Sequence, residues 1–385
     1  MPRLVFQTQE GTRAMDFLTT TAQQFKEQLG WHKARTDMLA KLVIALIRVT
    51  TVNLVKLSTS IDGKSTLDSK YRRVQRFFSN FDMDFEQIAK FLVSLFPIND
   101  SPWSLAIDRT NWKFGQKNIN ILMIVITYKG IGIPVVWTFL DKRGNSNTAE
   151  RIALIKRFIA IFGKNKIECL LGDREFIGKA WFEYLKAEEI LFRLRIKKNN
   201  LVANAKGSLV HAKKLFRNLP RGHYRVLPSK RSLWGHQLHI IGAKLDDGRL
   251  LIIATQEHPD TAINDYKKRW QIETLFSCLK SRGYCFESTH MTEGKKIESL
   301  VAVLAIAFCW AHIVGEWMHE RKPIKLKTHG RPAHSLFGYG LKHLMSVIFD
   351  LHSRLDEFFA MLQLLFPHRL VPAATVATTP GTGAR

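Results

Sequence analysis

Apolar residues recur every three to four places through most of residues 14–97, the spacing that turns one stripe of a helix toward a core. The segments DMLAKLVIALIRVTTVNLVKL, STLDSKYRRVQRFFSN and DFEQIAKFLVSLF carry this period, and Pro97 closes the last of them. From Ser101 the texture changes to strand-like runs, SLAID, NINILMIVITY and IPVVWTFLD, with Gly130 and Gly132 expected at the turn between the last two. A helix is predicted from about Thr148 to Phe162, then the apolar strand IECLLGD, a helix near Lys179 to Glu189, and the strand ILFRLRIKK. Residues 199–259 lose the helical period, and short segments such as HYRVLP, QLHIIGAKL and RLLIIATQ alternate with turn residues, which predicts a β-rich insertion. Helical spacing returns in YKKRWQIETLFSCLK, in a buried stretch from Lys295 to Val314, and in further helices through His343 to Phe366. The tail VPAATVATTPGTGAR has little to bury and reads as disordered.

Three acidic residues stand out against this pattern. Asp108 and Asp173 each follow an apolar strand run, and Glu273 lies inside the helical pattern at residues 266–280. At about 100° per residue, Tyr266, Arg269, Glu273 and Lys280 fall within an arc of roughly 60° on one helix face. Ile272, Phe276 and Leu279 form an adjoining apolar stripe, so the polar face is expected to be held in a fixed direction.

The spacing Tyr266, two residues, Arg269, three residues, Glu273, six residues, Lys280 resembles the signature of the IS4 family of bacterial DDE transposases, and the blocks D-R-T at Asp108 and D-R-E-F at Asp173 are similar to its other two motifs. The resemblance spans at least residues 100–320. It implies an α/β protein with a ribonuclease H-like catalytic core, in which the first and fourth strands are central neighbours and bring Asp108 beside Asp173. Three strands, a helix, a strand, a helix and a strand, in the order read above, match that fold. The domain partition expected on this basis is a helical DNA-end-binding region at 1–99, the core at 100–198 and 260–320, the β-rich insertion at 199–259, a C-terminal helical region with a dimerisation role at 321–370, and a disordered tail at 371–385.

The resemblance also implies the chemistry. Asp108, Asp173 and Glu273 become catalytic and metal-binding residues for two Mg²⁺ (or Mn²⁺) ions, with Asp108 bridging them. Two such ions about 3.5–4 Å apart neutralise the attacking and leaving oxygens of a phosphodiester, and hard cations favour carboxylate oxygens. Tyr266, Arg269 and Lys280 are expected to hold the terminal nucleotides of a transposon end; the bland alternative for Arg269 is an i,i+4 ion pair with Glu273. Relatives cut through a DNA hairpin, and Trp234, at an expected hairpin tip of the insertion, is the candidate to stack a flipped base. Partners would be double-stranded DNA, as terminal inverted repeats and target, and a second copy of the chain in a homodimer on two ends.

Charge agrees with a polyanionic partner. Lys and Arg number 58 against 33 Asp and Glu, a net +25, and neutralising phosphates supplies affinity independent of sequence. Lys70, Arg72, Arg73 and Arg76, interleaved with Tyr71, Phe77 and Phe78, are candidates for a DNA-laid helix in a helix-turn-helix-like unit; a solvated basic face is the alternative. Lys325, Lys327 and Arg331 form another basic loop open to both readings. Cys169, Cys278, Cys285 and Cys309 show no metal-site spacing and read as reduced thiols. Residues 1–17 lack the apolar segment of a secretory signal, and Leu300–Val314 is too short to span a bilayer comfortably, so no membrane partner is expected and a bacterial cytoplasmic, nucleoid-associated location is. A catalytically silent DNA-binding relative and a structure-specific nuclease are the competing functions.

Overall fold

The computed structural model describes residues 6–98, 100–328 and 330–366, with side chains from residue 17 onward; the tail expected to be disordered lies outside the described residues. Helices α1 (Phe6–Leu29), α2 (Lys33–Val49), α3 (Leu54–Thr59), α4 (Leu67–Asn80) and α5 (Phe85–Ser94) come first. A mixed segment follows: β1 (Trp103–Phe114), β2 (Lys117–Tyr128), β3 (Ile131–Phe139), α6 (Thr148–Phe162), β4 (Ile167–Gly172), α7 (Lys179–Ala187) and β5 (Phe192–Arg195). Short strands occupy the insertion: β6 (Leu201–Ala203), β7 (Leu209–His211), β8 (Tyr224–Val226), β9 (Arg231–Leu233), β10 (His236–Lys244) and β11 (Leu250–Thr255). Helices α8 (Ala262–Lys267), α9 (Trp270–Leu279), α10 (Gly294–Arg321), α11 (Leu336–Phe349) and α12 (Leu355–Leu365) complete the described chain.

The chain falls into two compact units, Val49–Cys309 and the flanking segments Met1–Arg48 with Trp310–Arg385. Residues 49–98 therefore pack with the sheet, where the sequence pattern puts a boundary at 99. In the flanking unit, Phe17 and Phe358 meet edge to face at 5.2 Å, and the Trp310 indole N–H donates to the Met361 carbonyl at 2.9 Å. Helices α10 and α11 cross on glycines: a Cβ on Gly315 would sit 1.9 Å from the Leu336 carbonyl oxygen, and one on Gly340 1.9 Å from that of Ala311. Only glycine permits that approach.

The larger unit is built on one mixed sheet with strand order β3-β2-β1-β4-β5-β11-β10-β8, and β9 pairs with β10. Strands β1 to β3 form an antiparallel meander, whereas β4 runs parallel to β1 and β5 parallel to β4. Because β2 is buried along most of its length, its apolar run carries no alternation, as expected of a strand covered on both faces. Helix α6 starts on a capping box, in which the Asn147 side chain accepts from the Glu150 N–H and the Glu150 carboxylate accepts from the Asn147 N–H, satisfying two of the free amides at a helix start. Glu150 thus has a structural role, and the helix bounds match the sequence pattern.

Three expectations are corrected. The β2–β3 turn is Lys129–Gly130, both at positive φ, while Gly132 lies inside β3, where a Cβ would approach the Gln271 carbonyl oxygen to 3.3 Å; the glycine is kept for packing rather than turning. The long helix expected across residues 37–57 is split, because Asn53 accepts from the Val55 and Lys56 N–H groups and caps a separate α3. Within the β-rich insertion, β11 pairs antiparallel with β5 and continues the central sheet. Helix α10 extends beyond Val314 to Arg321; it is long and apolar enough to cross a membrane, but 89% of its apolar window is buried within the protein.

Candidate active site

Parallel pairing of β1 with β4 ends at Ile107 and Gly172, so Asp108 and Asp173 are the next residues on two strands that run about 4.8 Å apart. Asp108 does not end its strand. β1 continues to Phe114, paired with β2 from Asp108–Met123 to Phe114–Lys117, and its burial changes at Asp108 from both faces covered to alternate positions covered. Polar residues after Asp108 therefore conceal a strand that only β2 supports. Gly172 precedes Asp173 in a crowded place: a Cβ there would lie 2.7 Å from Leu194 Cδ2 and 3.1 Å from the Phe176 Cβ.

A polar clamp joins the two aspartate segments. Arg109 donates through Nε and Nη2 to the two Glu175 carboxylate oxygens at 2.6 and 2.9 Å, through Nη1 to Asn120 Oδ1 at 2.9 Å and through Nη2 to Asn145 Oδ1 at 3.0 Å. Glu175 also accepts from the Ser146 N–H and hydroxyl, both at 3.2 Å. Such a two-pronged arginine–carboxylate pair fixes orientation as well as distance. The neighbouring Phe176 is fully buried, and the Arg109 N–H donates to Asp108 Oδ1 at 2.7 Å. In D-R-E-F, then, Asp173 faces the site, Glu175 holds the opposite strand and Phe176 anchors the loop. Neither Arg109 nor Glu175 is singled out from the sequence; the available signal is complementary charge one place after Asp108 and two after Asp173.

The helix expected to carry Tyr266, Arg269, Glu273 and Lys280 on one face is broken. The Lys268 and Arg269 N–H groups bond three residues back, to Asp265 and Tyr266, at 3.0 Å each, a tight 3₁₀-type link between α8 and α9. Asp265, at that link, pairs with buried Arg193 at 3.4 Å and with Lys268 at 3.6 Å. Lys280 lies past the end of α9, with ψ −110°. Of the four, Arg269 and Glu273 meet: Nη2 donates to Glu273 Oε1 at 2.6 Å while Nη1 reaches Asp108 Oδ2 at 3.4 Å. Arg269 is 3% exposed, and its guanidinium lies 5.6 Å from the centre of the Tyr266 ring. Among the described residues neither Arg269 Nε nor the buried Tyr266 hydroxyl has a partner in good hydrogen-bond geometry, the Tyr266 hydroxyl interacting with the Arg269 side chain itself. The expected i,i+4 pair is therefore present, but as a buried bridge to Asp108 rather than a surface pair.

Electrostatics follow from this packing. Burial pushes the Asp108 carboxyl up to about 7; the Arg109 N–H and Arg269 pull it down, and the charges of Asp173 and Glu273 push it up again. Burial likewise raises the Tyr266 phenol, so it stays protonated. Asp173 is paired with Arg195 at 3.2 Å. All three candidates are carboxylates, the donor type hard divalent cations prefer, and the repulsion by Asp173 and Glu273 at Asp108 is what a cation would relieve. Among the described residues no three His, Cys, Asp or Glu side chains converge tightly enough to hold one ion together.

Other candidates lie elsewhere. Lys280 pairs with Glu287 at 2.8 Å, reaches the Asn111 carbonyl at 3.4 Å and lies 5.3 Å from the centre of the Trp112 ring. Trp234 occupies a β9–β10 turn at φ 52°, followed by Gly235 at φ 86°, the paired positive φ values of a tight hairpin; half-buried, it packs edge-on against Phe182 at 5.5 Å. On α4, Arg72, Arg73 and Arg76 are exposed and Lys70 half-buried, whereas Phe77 and Phe78 belong to the core. All four cysteines are free, with Cys169, Cys278 and Cys309 buried and Cys285 exposed.

The central mixed sheet and the aspartates at the ends of its paired strands fit the ribonuclease H-like domain of DDE enzymes. The model of the transposase DDE domain family matches residues 99–310, more than half of the chain, and the protein belongs to that family. No curated protein matches the chain.

Proposed function

We propose that this protein is a cut-and-paste DNA transposase of the IS4 group, which binds the terminal inverted repeats of its element, cleaves both ends and joins the 3′ ends to target DNA as a homodimer. One observation supports the reading: Asp108 and Asp173 follow the last paired residues of the adjacent strands β1 and β4, and Arg269 links Asp108 to Glu273 from a third stretch of chain. The unbroken Tyr266, Arg269, Glu273, Lys280 spacing supports the narrower family.

In this reading Asp108, Asp173 and Glu273 would hold two Mg²⁺ or Mn²⁺ ions, which when bound would neutralise charge at the attacked phosphate and ease deprotonation of the attacking water. The chain's own residues do the rest. The Arg109–Glu175 clamp keeps the aspartate segments in register, and the sheet beneath excludes solvent from one side of Asp108. Arg269, buried and bonded to Glu273 at 2.6 Å, holds that carboxylate beside Asp108, a two-partner arrangement suited to guanidinium. Lys280 adds a second cation beside the β1–β2 ribbon. A hairpin route would place a flipped base against an aromatic ring, with Trp234 the assigned residue.

Cleavage and joining assays on DNA carrying the element's ends test this. Asp108→Ala, Asp173→Ala and Glu273→Ala should each abolish Mg²⁺-dependent cleavage while leaving DNA binding. Survival of cleavage in any one of them rejects the site, and nicks without joined products favour a nuclease instead.

A further inference from the structure

A groove of about 1200 Å³ opens beside Asp173, lined by residues of the D-R-E-F loop, the end of β5, the turn after it, Lys213, and the β10–β11 turn. It shares Asp173 with the candidate site but is lined by neither Asp108 nor Glu273. Six cations line it: Arg174, Arg195, Lys197, Lys198, Lys213 and Arg249. Its acids, Asp173 and Glu175, are already engaged by Arg195 and Arg109. Lys197, Lys198 and Lys213 are exposed, and their side chains form no ion pair among the described residues. The groove is larger than ordinary small-molecule pockets, which span about 300–1,000 Å³ and are mostly apolar.

The frame under these lysines is fixed. Asn200 closes the turn after β5, its side chain accepting from the Lys197 N–H at 2.7 Å and its N–H donating to the Lys197 carbonyl at 3.0 Å. The Lys213 N–H donates to the Lys198 carbonyl at 2.9 Å, and the Ile196 N–H to the Ile252 carbonyl at 2.9 Å. Lysines from two separate stretches of chain, 197–198 and 213, are thereby carried on one backbone platform. Unpaired cations on a rigid open groove suit a run of phosphates better than a single compact anion.

We propose that this groove carries the sugar–phosphate backbone of the DNA strand that leaves the site at Asp173. The proposal rests on the transposase reading only for the identity of that strand. Because these lysines address phosphates, they contribute affinity without sequence preference.

The test uses the full chain and a labelled linear duplex of arbitrary sequence, with affinity measured across a salt series. Lys197→Gln, Lys198→Gln and Lys213→Gln are combined in one variant; a control combines Lys90→Gln, Lys156→Gln and Lys186→Gln, exposed helix lysines outside the groove. Every lysine–phosphate interaction removed should flatten the slope of log affinity against log salt by about 0.9, so the groove variant is expected to lose between two and three such increments and the control almost none. Equal slopes for the two variants overturn the proposal. Single variants Lys198→Gln and Lys213→Gln, each expected to lose about one increment of 0.9, decide the matter if the triple variant melts early. Failure of the transposase reading would show separately, as Mg²⁺-dependent cleavage retained in Glu273→Ala.

Discussion

Two arginine–carboxylate pairs flank Asp108, and they are built differently. Arg109 and Glu175 face each other at 2.6 Å with every guanidinium nitrogen occupied, by Glu175, Asn120 and Asn145. Arg269 and Glu273 are also 2.6 Å apart, yet Arg269 is left with a long 3.4 Å approach to Asp108, and neither its Nε nor the Tyr266 hydroxyl beside it has a partner in good hydrogen-bond geometry among the described residues. A buried donor without a partner costs about 1–3 kcal/mol. One pair is saturated and holds strands; the other leaves donors unsatisfied next to the carboxylates. The difference separates a saturated pair from an unsaturated one beside the same aspartate.

The sharpest way to break that comparison is to delete each arginine. Arg109→Ala strands the largely buried Glu175 and should lower unfolding free energy by about 3 kcal/mol; Arg109→Lys should not rescue it, because an ammonium cannot serve four acceptors in a plane. Arg269→Ala should cost less, about 1 kcal/mol at pH 6, since Asp108 can take a proton there and Glu273 is 38% exposed. Urea denaturation of the full chain measures both. Equal losses would mean that the two pairs do the same structural work.

A pH-dependent effect concerns the carboxylate between the pairs. Asp108 ionises near 7 when folded, against 3.8 ordinarily, so from about pH 4 to 7 the folded state holds a proton that the unfolded state has released. Stability of the metal-free protein must then fall as pH rises through this window and level off above it. Asp108→Asn removes the titration: in EDTA at pH 8 it should melt a few degrees higher than wild type, and at pH 4 the two should coincide. A wild-type advantage at pH 8 would show that Arg269 already compensates the Asp108 charge in full.

How much of this is legible in the sequence depends on whether a feature is local. Helix α6 can be read to the residue because Asn147 and Glu150 cap it within four positions. The adjacency of Asp108 and Asp173 follows from strand order, which the apolar runs and the family resemblance both carry. The Arg109–Glu175 clamp is hidden because its partners lie 66 residues apart, and periodicity says nothing about which distant charges meet. The break between α8 and α9 is equally invisible: Lys268 and Arg269 keep helical dihedrals, and only their backbone hydrogen bonds shift to three-residue spacing, next to Asp265, which is tied to Arg193 from β5. β1 reads as ending at Asp108 because its continuation is half polar and depends on β2 for support.

The exposed arginines of α4 mark the far limit of the comparison and the smallest expected change. Arg72, Arg73 and Arg76 are solvent-exposed on the helix, and what holds α4 in place is the buried trio Val74, Phe77 and Phe78 on its other side, together with the Thr66 cap. Replacing the three arginines by glutamine should therefore move unfolding free energy by no more than about 0.5 kcal/mol each, whereas Arg109 alone is worth several times that. If this helix lies on DNA, the same variant weakens duplex binding and flattens its salt dependence by about 0.9 per phosphate engaged without lowering the melting temperature. Loss of stability together with binding would assign α4 to the scaffold, and neither loss would leave its charge a solvated face.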